Sequence, residues 1–349
     1  MPRRPATRRR FLIGCSTIAG VSLAGCTGGD DSVETDSTPT PTDDGGTEPT
    51  GTTDGATATD TETAAPEQAA VETLVSVGGD RVPENMAFGP GGDLYFGITA
   101  GELRRVPSAE TGATDLTLED TEQIAALPGA IGVETAPDGT VYVAVATQDD
   151  QAGVWEVPPD GEATQLVGIS GFPNDIHYDT DRERLLVTES QNGVVYAVTT
   201  DGNRSTWLDD DRLATESFGA NGITRDADGD IYVAVTRAPE ETGRLLRVPI
   251  ESDGSAGETT MFFEGAEIFG ADGITSRDGD IYVAANSQNR VVRVTADGTT
   301  ETVATGDDGL VFPSDVLFGP GDQRESLFVC NFANQSPEDG AILRTGVPR

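Results

Sequence analysis

From residue 71 to residue 349 the chain predicts an all-β fold, a six-bladed β-propeller, and three observations predict it. A unit of about four short strands recurs six times. One polar position recurs in phase with those units, at steps of roughly 40–50 residues. A strand with no unit of its own precedes the first repeat, where a closing strand is needed.

The clearest units are residues 221–235, NGITRDADGDIYVAV, and residues 272–285, DGITSRDGDIYVAA. Each reads as a short strand, an acidic Gly turn and a strong strand. An Arg-Val strand follows in each, at Leu245–Pro249 and Val291–Val294. The same order fits Phe88–Phe96 with Leu103–Val106, Val141–Val145 with Val154–Val157, Leu185–Thr188 with Val194–Val198, and Phe318–Val329 with Ile342–Arg344. The sixth unit runs out after its third strand. The unclaimed strand at Thr73–Val77 is expected to be its outer strand, so that residues 71–78 complete the last blade and leave no open sheet edge.

Aligning the units brings Glu84, Ile131, Asn174, Asn221, Asp272 and Ser314 into one column at the start of the channel-lining strand. Its side chains should converge at one mouth of the channel. Glu84, Asn174, Asn221 and Asp272 offer two carboxylates and two amide oxygens; Ser314 is neutral and Ile131 is an empty seat. Oxygen ligands of this kind suit one hard divalent cation, Ca²⁺ first, with Mg²⁺ or Zn²⁺ as alternatives. No His or Cys belongs to the column, which disfavours a tetrahedral structural zinc site. Asn-Gly and Asp-Gly are also common turn dipeptides, so each one alone reads more simply as punctuation. Asn174 and Glu84 lack the Gly yet fall in phase, and an aliphatic follows at Met86, Val133, Ile176, Ile223, Ile274 and Val316.

The order Glu84, Asn174-Asp175, Asn221-Gly222, Asp272-Gly273 resembles the SMP-30/gluconolactonase/LRE-like propellers over roughly residues 71–349. The resemblance implies a metal-dependent lactone hydrolase with Glu84, Asn221 and Asp272 on the ion. It places Asn174 beside the ion, in contact with water or substrate. Members acting on sugar lactones often carry Arg two residues before that Asn; here Phe172 stands there, which opens the pocket to a less polar ligand. Asp272 is the first candidate for a ligand that doubles as general base, and Asp175 the second, although Asp175 also reads as a turn carboxylate, as does Asp315. The only His, His177, lies three residues past the column and reads as structural rather than as part of a Ser-His-Asp arrangement. The rival reading is a non-catalytic propeller of NHL type, with a structural metal and a small ligand, peptide or glycan on its face.

The 60 Asp+Glu against 22 basic residues, all of them Arg, give a net charge of −38, which excludes nucleic acid as a partner and suits a solvated surface in concentrated salt. Residues 1–26 read as an export signal: five Arg among the first ten residues, then an apolar run too short to span a membrane. Thr7–Leu12 resembles a twin-arginine signal, and Leu23–Cys26 a lipobox that would lipidate Cys26 and anchor the protein to the outer face of the cell membrane. Residues 27–70, rich in Thr and acidic residues, read as a disordered tether whose Thr density permits glycosylation. Cys330 is the lone Cys of the repeat region and reads as a small buried hydrophobe. The partners expected are a small-molecule lactone or ester and, through the anchor alone, the membrane; the protein is expected to be a monomer.

Overall fold

The computed structural model describes residues 70–79 and 81–347. The expected signal peptide, the expected lipidation site at Cys26 and nearly all of the expected tether lie outside the described residues.

Six sheets form the six blades. In chain order their innermost strands are Pro83–Phe88, Val133–Thr135, Pro173–Asp179, Ala220–Arg225, Ala271–Arg277 and Pro313–Phe318. Blades 1 to 5 are each a four-stranded antiparallel sheet. The second strands, such as Ile231–Ala238 and Asp280–Ala285, are apolar almost throughout and buried on both faces. That is what a strand covered by a neighbouring blade on each side requires. Six apolar clusters result, each shared by adjacent blades; Leu186, Val195, Ile223 and Val233, for example, join blades 3 and 4. Cys330 is fully buried in the cluster between blades 6 and 1.

The last blade is closed as expected. Strand Glu72–Ser76 pairs antiparallel with Ala341–Gly346 and is the fourth strand of blade 6. A two-residue strand, Leu116–Thr117, adds to it in parallel, an extension that the repeat pattern did not disclose. The closure carries charge as well: Arg344 donates to Glu72 at 2.8 Å and to the Thr111 carbonyl at 3.0 Å. The recurring Arg of the third strands has a related task. Arg105, Arg247 and Arg293 pair with Asp93, Asp230 and Asp280, which stand at the head of the second strands.

The innermost strands share a defect that shapes the channel. Their ladder register slips between Pro83 and Met86, Pro173 and Ile176, Ala220 and Ile223, and Ala271 and Ile274. A bulge of this kind leaves two residues outside the regular pairing and re-aims them. Those residues are Glu84-Asn85, Asn174-Asp175, Asn221-Gly222 and Asp272-Gly273. The glycines of these pairs are not turn residues, since neither Gly222 nor Gly273 has a positive φ. They are required by space. A Cβ on Gly222 would lie 2.3 Å from the Asp272 carbonyl, and one on Gly273 2.2 Å from Asp315 Oδ1. Gly132 holds the matching place in blade 2, 2.2 Å from the Asn174 carbonyl by the same measure.

Two outcomes follow. Deleting residues 71–78 should abolish the cooperative melting transition in high salt; a truncated protein with an unchanged Tm would refute closure by this strand. Gly222→Ala should destabilise the fold by about 1–3 kcal/mol, the usual cost of overpacking, read as a lower denaturation midpoint at unchanged slope.

Candidate functional site

The bulges place the column side chains at the face where the innermost strands begin, and the second strands hold them from behind. Asn174 Nδ2 donates to Ser190 Oγ at 2.9 Å, and Ser190 Oγ donates onward to the Ala220 carbonyl at 2.6 Å. With its only hydrogen committed there, the Ser190 hydroxyl must accept from Asn174. That fixes the amide orientation and leaves Asn174 Oδ1 as the outward group. Asn221 Nδ2 is tied in the same manner to Thr236 Oγ1 at 2.9 Å. Asp272 Oδ2 accepts from Asn286 Nδ2 at 2.7 Å. Asn174, Asn221 and Asp272 are all buried. Glu84, from blade 1, is half-buried. Ser314 turns away: its hydroxyl donates to the Glu84 carbonyl at 2.6 Å and so fixes the backbone of the neighbouring seat.

A second ring lies one residue further along. Where it is not glycine it is Asn85, Asp175 or Asp315, and each reaches to the backbone of the next blade. Asn85 Oδ1 accepts from Val133 N–H at 2.9 Å, Asp175 Oδ2 from Ile223 N–H at 2.9 Å and Asp315 Oδ2 from Met86 N–H at 3.1 Å. Asp175 Oδ1 also accepts from Ile176 N–H at 2.8 Å and from Asn85 Nδ2 at 3.2 Å across the channel. Asp175 thus has both oxygens engaged within the protein.

Four carboxyl groups therefore share one desolvated channel. Burial, reinforced by the charges of Asp272, Asp315 and Asp175, pushes Glu84 well above the ordinary carboxylate range. Burial likewise raises Asp272 to about 7 and Asp175 to about 6, and lifts Asp315 well up. Like charges held together out of water are costly unless protons or a cation neutralise them. Among the described residues no group of three or more His, Cys, Asp or Glu forms a ligand set by itself, so a cation here would need the amide oxygens too. Glu84, Asp272, Asn174 and Asn221 supply oxygen donors alone, a set that fits a hard divalent ion.

The other predicted residues fall around this centre. Phe172 precedes Asn174 on the same face, its N–H donating to the buried Glu189 carboxylate at 2.7 Å. His177 lies further down the channel strand, with Nδ1 3.8 Å from Glu134 Oε2; burial lowers its pKa to about 4, so it is neutral. Sequence reasoning missed Ser190, Thr236 and Asn286. Their signal was present: Thr236 and Asn286 are the polar residues ending the second strand's apolar run, Ser190 follows that run after Thr188 and Glu189, and all three lie 14 to 16 residues after their column partners.

The strictosidine synthase-like N-terminal family matches residues 69–106 of the chain. No curated protein matches. Solved structures do. A regucalcin from Agrobacterium tumefaciens, described as a calcium-binding protein, is 19% identical over 78% of this chain and 95% of its own, with a TM-score of 0.56. A structure described as a putative gluconolactonase is 15% identical over 81% and 96%, TM-score 0.58. An auxiliary nutrient binding protein from Bacteroides ovatus is 11% identical over 81% and 77%, TM-score 0.61. At such identities the likeness is one of fold: the chain is a six-bladed β-propeller whose structural neighbours include gluconolactonase- and regucalcin-like propellers.

Proposed function

We propose that the protein is a divalent-metal-dependent hydrolase of lactones or related esters, acting at the mouth of its channel. The observation that carries this reading is the oxygen-donor set of Glu84, Asn174, Asn221 and Asp272, held from behind by Ser190, Thr236 and Asn286. We take the ion to be Ca²⁺, the choice that the name of the regucalcin neighbour also favours. When bound, such an ion polarises a carbonyl and lowers the pKa of water.

The chain's own groups supply the rest. Asp272 has Oδ2 anchored by Asn286, which holds its carboxylate in place to act as general base. It takes the proton of the attacking water as the water oxygen bonds to the lactone carbonyl carbon. The ring C–O bond then breaks, and the proton passes to the departing alkoxide. Asn174, outward through Oδ1, orients water or substrate. Asp175, the other candidate base, has both oxygens committed to Ile176, Ile223 and Asn85, and we assign it to holding the channel wall. We further propose that the enzyme works outside the cell, tethered through Cys26.

The likeness to a nutrient binding protein favours one other reading, a non-catalytic propeller with a structural metal. Asp272→Ala separates the two. Assayed against lactones and aryl esters in high salt, the variant of an enzyme should lose about 10²–10⁴-fold in turnover, the usual contribution of a positioned base, while it stays folded. The variant of a binding protein would lose thermal stability with no turnover to lose. Purified protein without any divalent metal by elemental analysis would refute both readings.

Metal removal gives a second test. Asp272 has a folded pKa above its unfolded one, so its contribution to stability is present at low pH and is lost as pH rises through about 7, and Glu84 is shifted in the same direction. In chelator, Tm should fall between about pH 5 and pH 8. Added Ca²⁺ should raise it more at the upper end than at the lower. A chelated protein with a flat Tm across that range would contradict the shared site.

A further inference from the structure

The metal-side face of the propeller carries an apolar rim. Phe172, Phe218, Phe269 and Phe312 stand just before innermost strands, and Phe332 just after a second strand, so all five lie on the face where the column side chains converge. None is fully buried, and Phe218 is 40% exposed. In a chain with 12 Phe and 23% charged residues, this is a concentrated apolar feature. The residues two places before the column are Val82, Gly129, Phe172, Gly219, Gly270 and Phe312, so no side chain at this level is a hydrogen-bond donor.

The rim is built rather than incidental. Phe172 and Phe218 meet edge to face with centroids 5.1 Å apart, joining the loops of blades 3 and 4. The fully buried Glu189 holds the Phe172 backbone, and it also accepts from Gln191 N–H and Asn192 N–H. Across the ring, Phe312 adopts a left-handed backbone, φ 49°, which is unfavourable for a bulky side chain. Three bonds impose it: Phe312 N–H to Asn289 Oδ1 at 2.8 Å, Val311 N–H to Asn331 Oδ1 at 2.7 Å and Ala333 N–H to the Val311 carbonyl at 2.9 Å. Phe332 lies beside it, with centroids 6.0 Å apart. Backbone strain maintained by surrounding bonds clusters at active sites and ligand clamps. At this level a sugar lactone would set hydroxyls against the phenyl rings of Phe172 and Phe312, which is costly, whereas an aryl ring would gain edge and face contacts.

We propose that this rim binds the apolar part of the substrate, and that the substrate class is an uncharged aryl lactone rather than a sugar lactone. The proposal rests on the hydrolase reading above for its chemistry but not for its binding. With the full-length protein in Ca²⁺ and high salt, kcat/KM for 3,4-dihydrocoumarin should exceed that for glucono-1,5-lactone by about tenfold or more. Phe218→Ala and the more conservative Phe172→Leu should each raise KM for dihydrocoumarin by about tenfold, the effect of removing one apolar contact, with kcat little changed. Preference for the sugar lactone, or an unchanged KM in both variants, overturns the proposal. If neither lactone is hydrolysed, the hydrolase reading fails and calorimetry with chroman, which lacks the carbonyl, decides the rim alone. Saturable binding weakened in both variants supports it, and absence of binding overturns it.

Discussion

The close approach of the innermost strands around the channel governs the rest of this structure. Where neighbouring blades meet, the backbone of one lies almost in contact with the backbone of the next. Three positions answer with glycine, at Gly132, Gly222 and Gly273, because a Cβ would collide. Three answer with a short polar side chain, at Asn85, Asp175 and Asp315, which turns proximity into a hydrogen bond to the next blade. Both solutions keep the channel narrow. A narrow channel is what brings four carboxyl groups into one desolvated space and raises their pKa values together.

The mouth inherits its order from that constraint. The bulge that permits close packing also frees the column residues from the ladder and aims them at the axis. In blades 3, 4 and 5 the ends of the second strands then complete the seat with a hydroxyl or an amide. Blade 2 departs from this: Ile131 N–H donates to the Ala144 carbonyl, and an aliphatic side chain occupies the seat. The ring is thereby made one-sided, polar toward blades 1, 3, 4 and 5. A reactant entering such a mouth meets a handed environment rather than a symmetric one, as catalysis or selective binding at a pseudo-sixfold axis requires.

Much of this was legible in the sequence, because a propeller writes its geometry as period. The phase of Glu84, Asn174, Asn221 and Asp272 located the inner strands, and the unpaired strand before the first repeat located the closure. What period could not convey was why Gly followed Asn221 and Asp272. A turn and a close approach call for the same residue, and only the φ angles and the neighbouring atoms separate them. Nor could it separate Asp175 from Asp272 in function. Both are acidic bulge residues, but one is saturated by backbone donors and the other retains an oxygen. The rim was visible only as Phe172; its partner Phe218 lies 46 positions on in a segment outside the repeat grammar.

Closure of the last blade has a consequence for how the molecule comes into being. Glu72 and Arg344 are 272 residues apart in sequence and joined across one sheet. A chain made from its N-terminus must carry Glu72–Ser76 as an unsatisfied edge until Ala341–Gly346 has been synthesised. No earlier length of chain can seal the ring, and the cluster of Leu74, Phe96 and Phe328 stays open to water until then. Ring formation is thus a late event that reports completion of the domain, and the interval before it is when the chain is most open to mispairing.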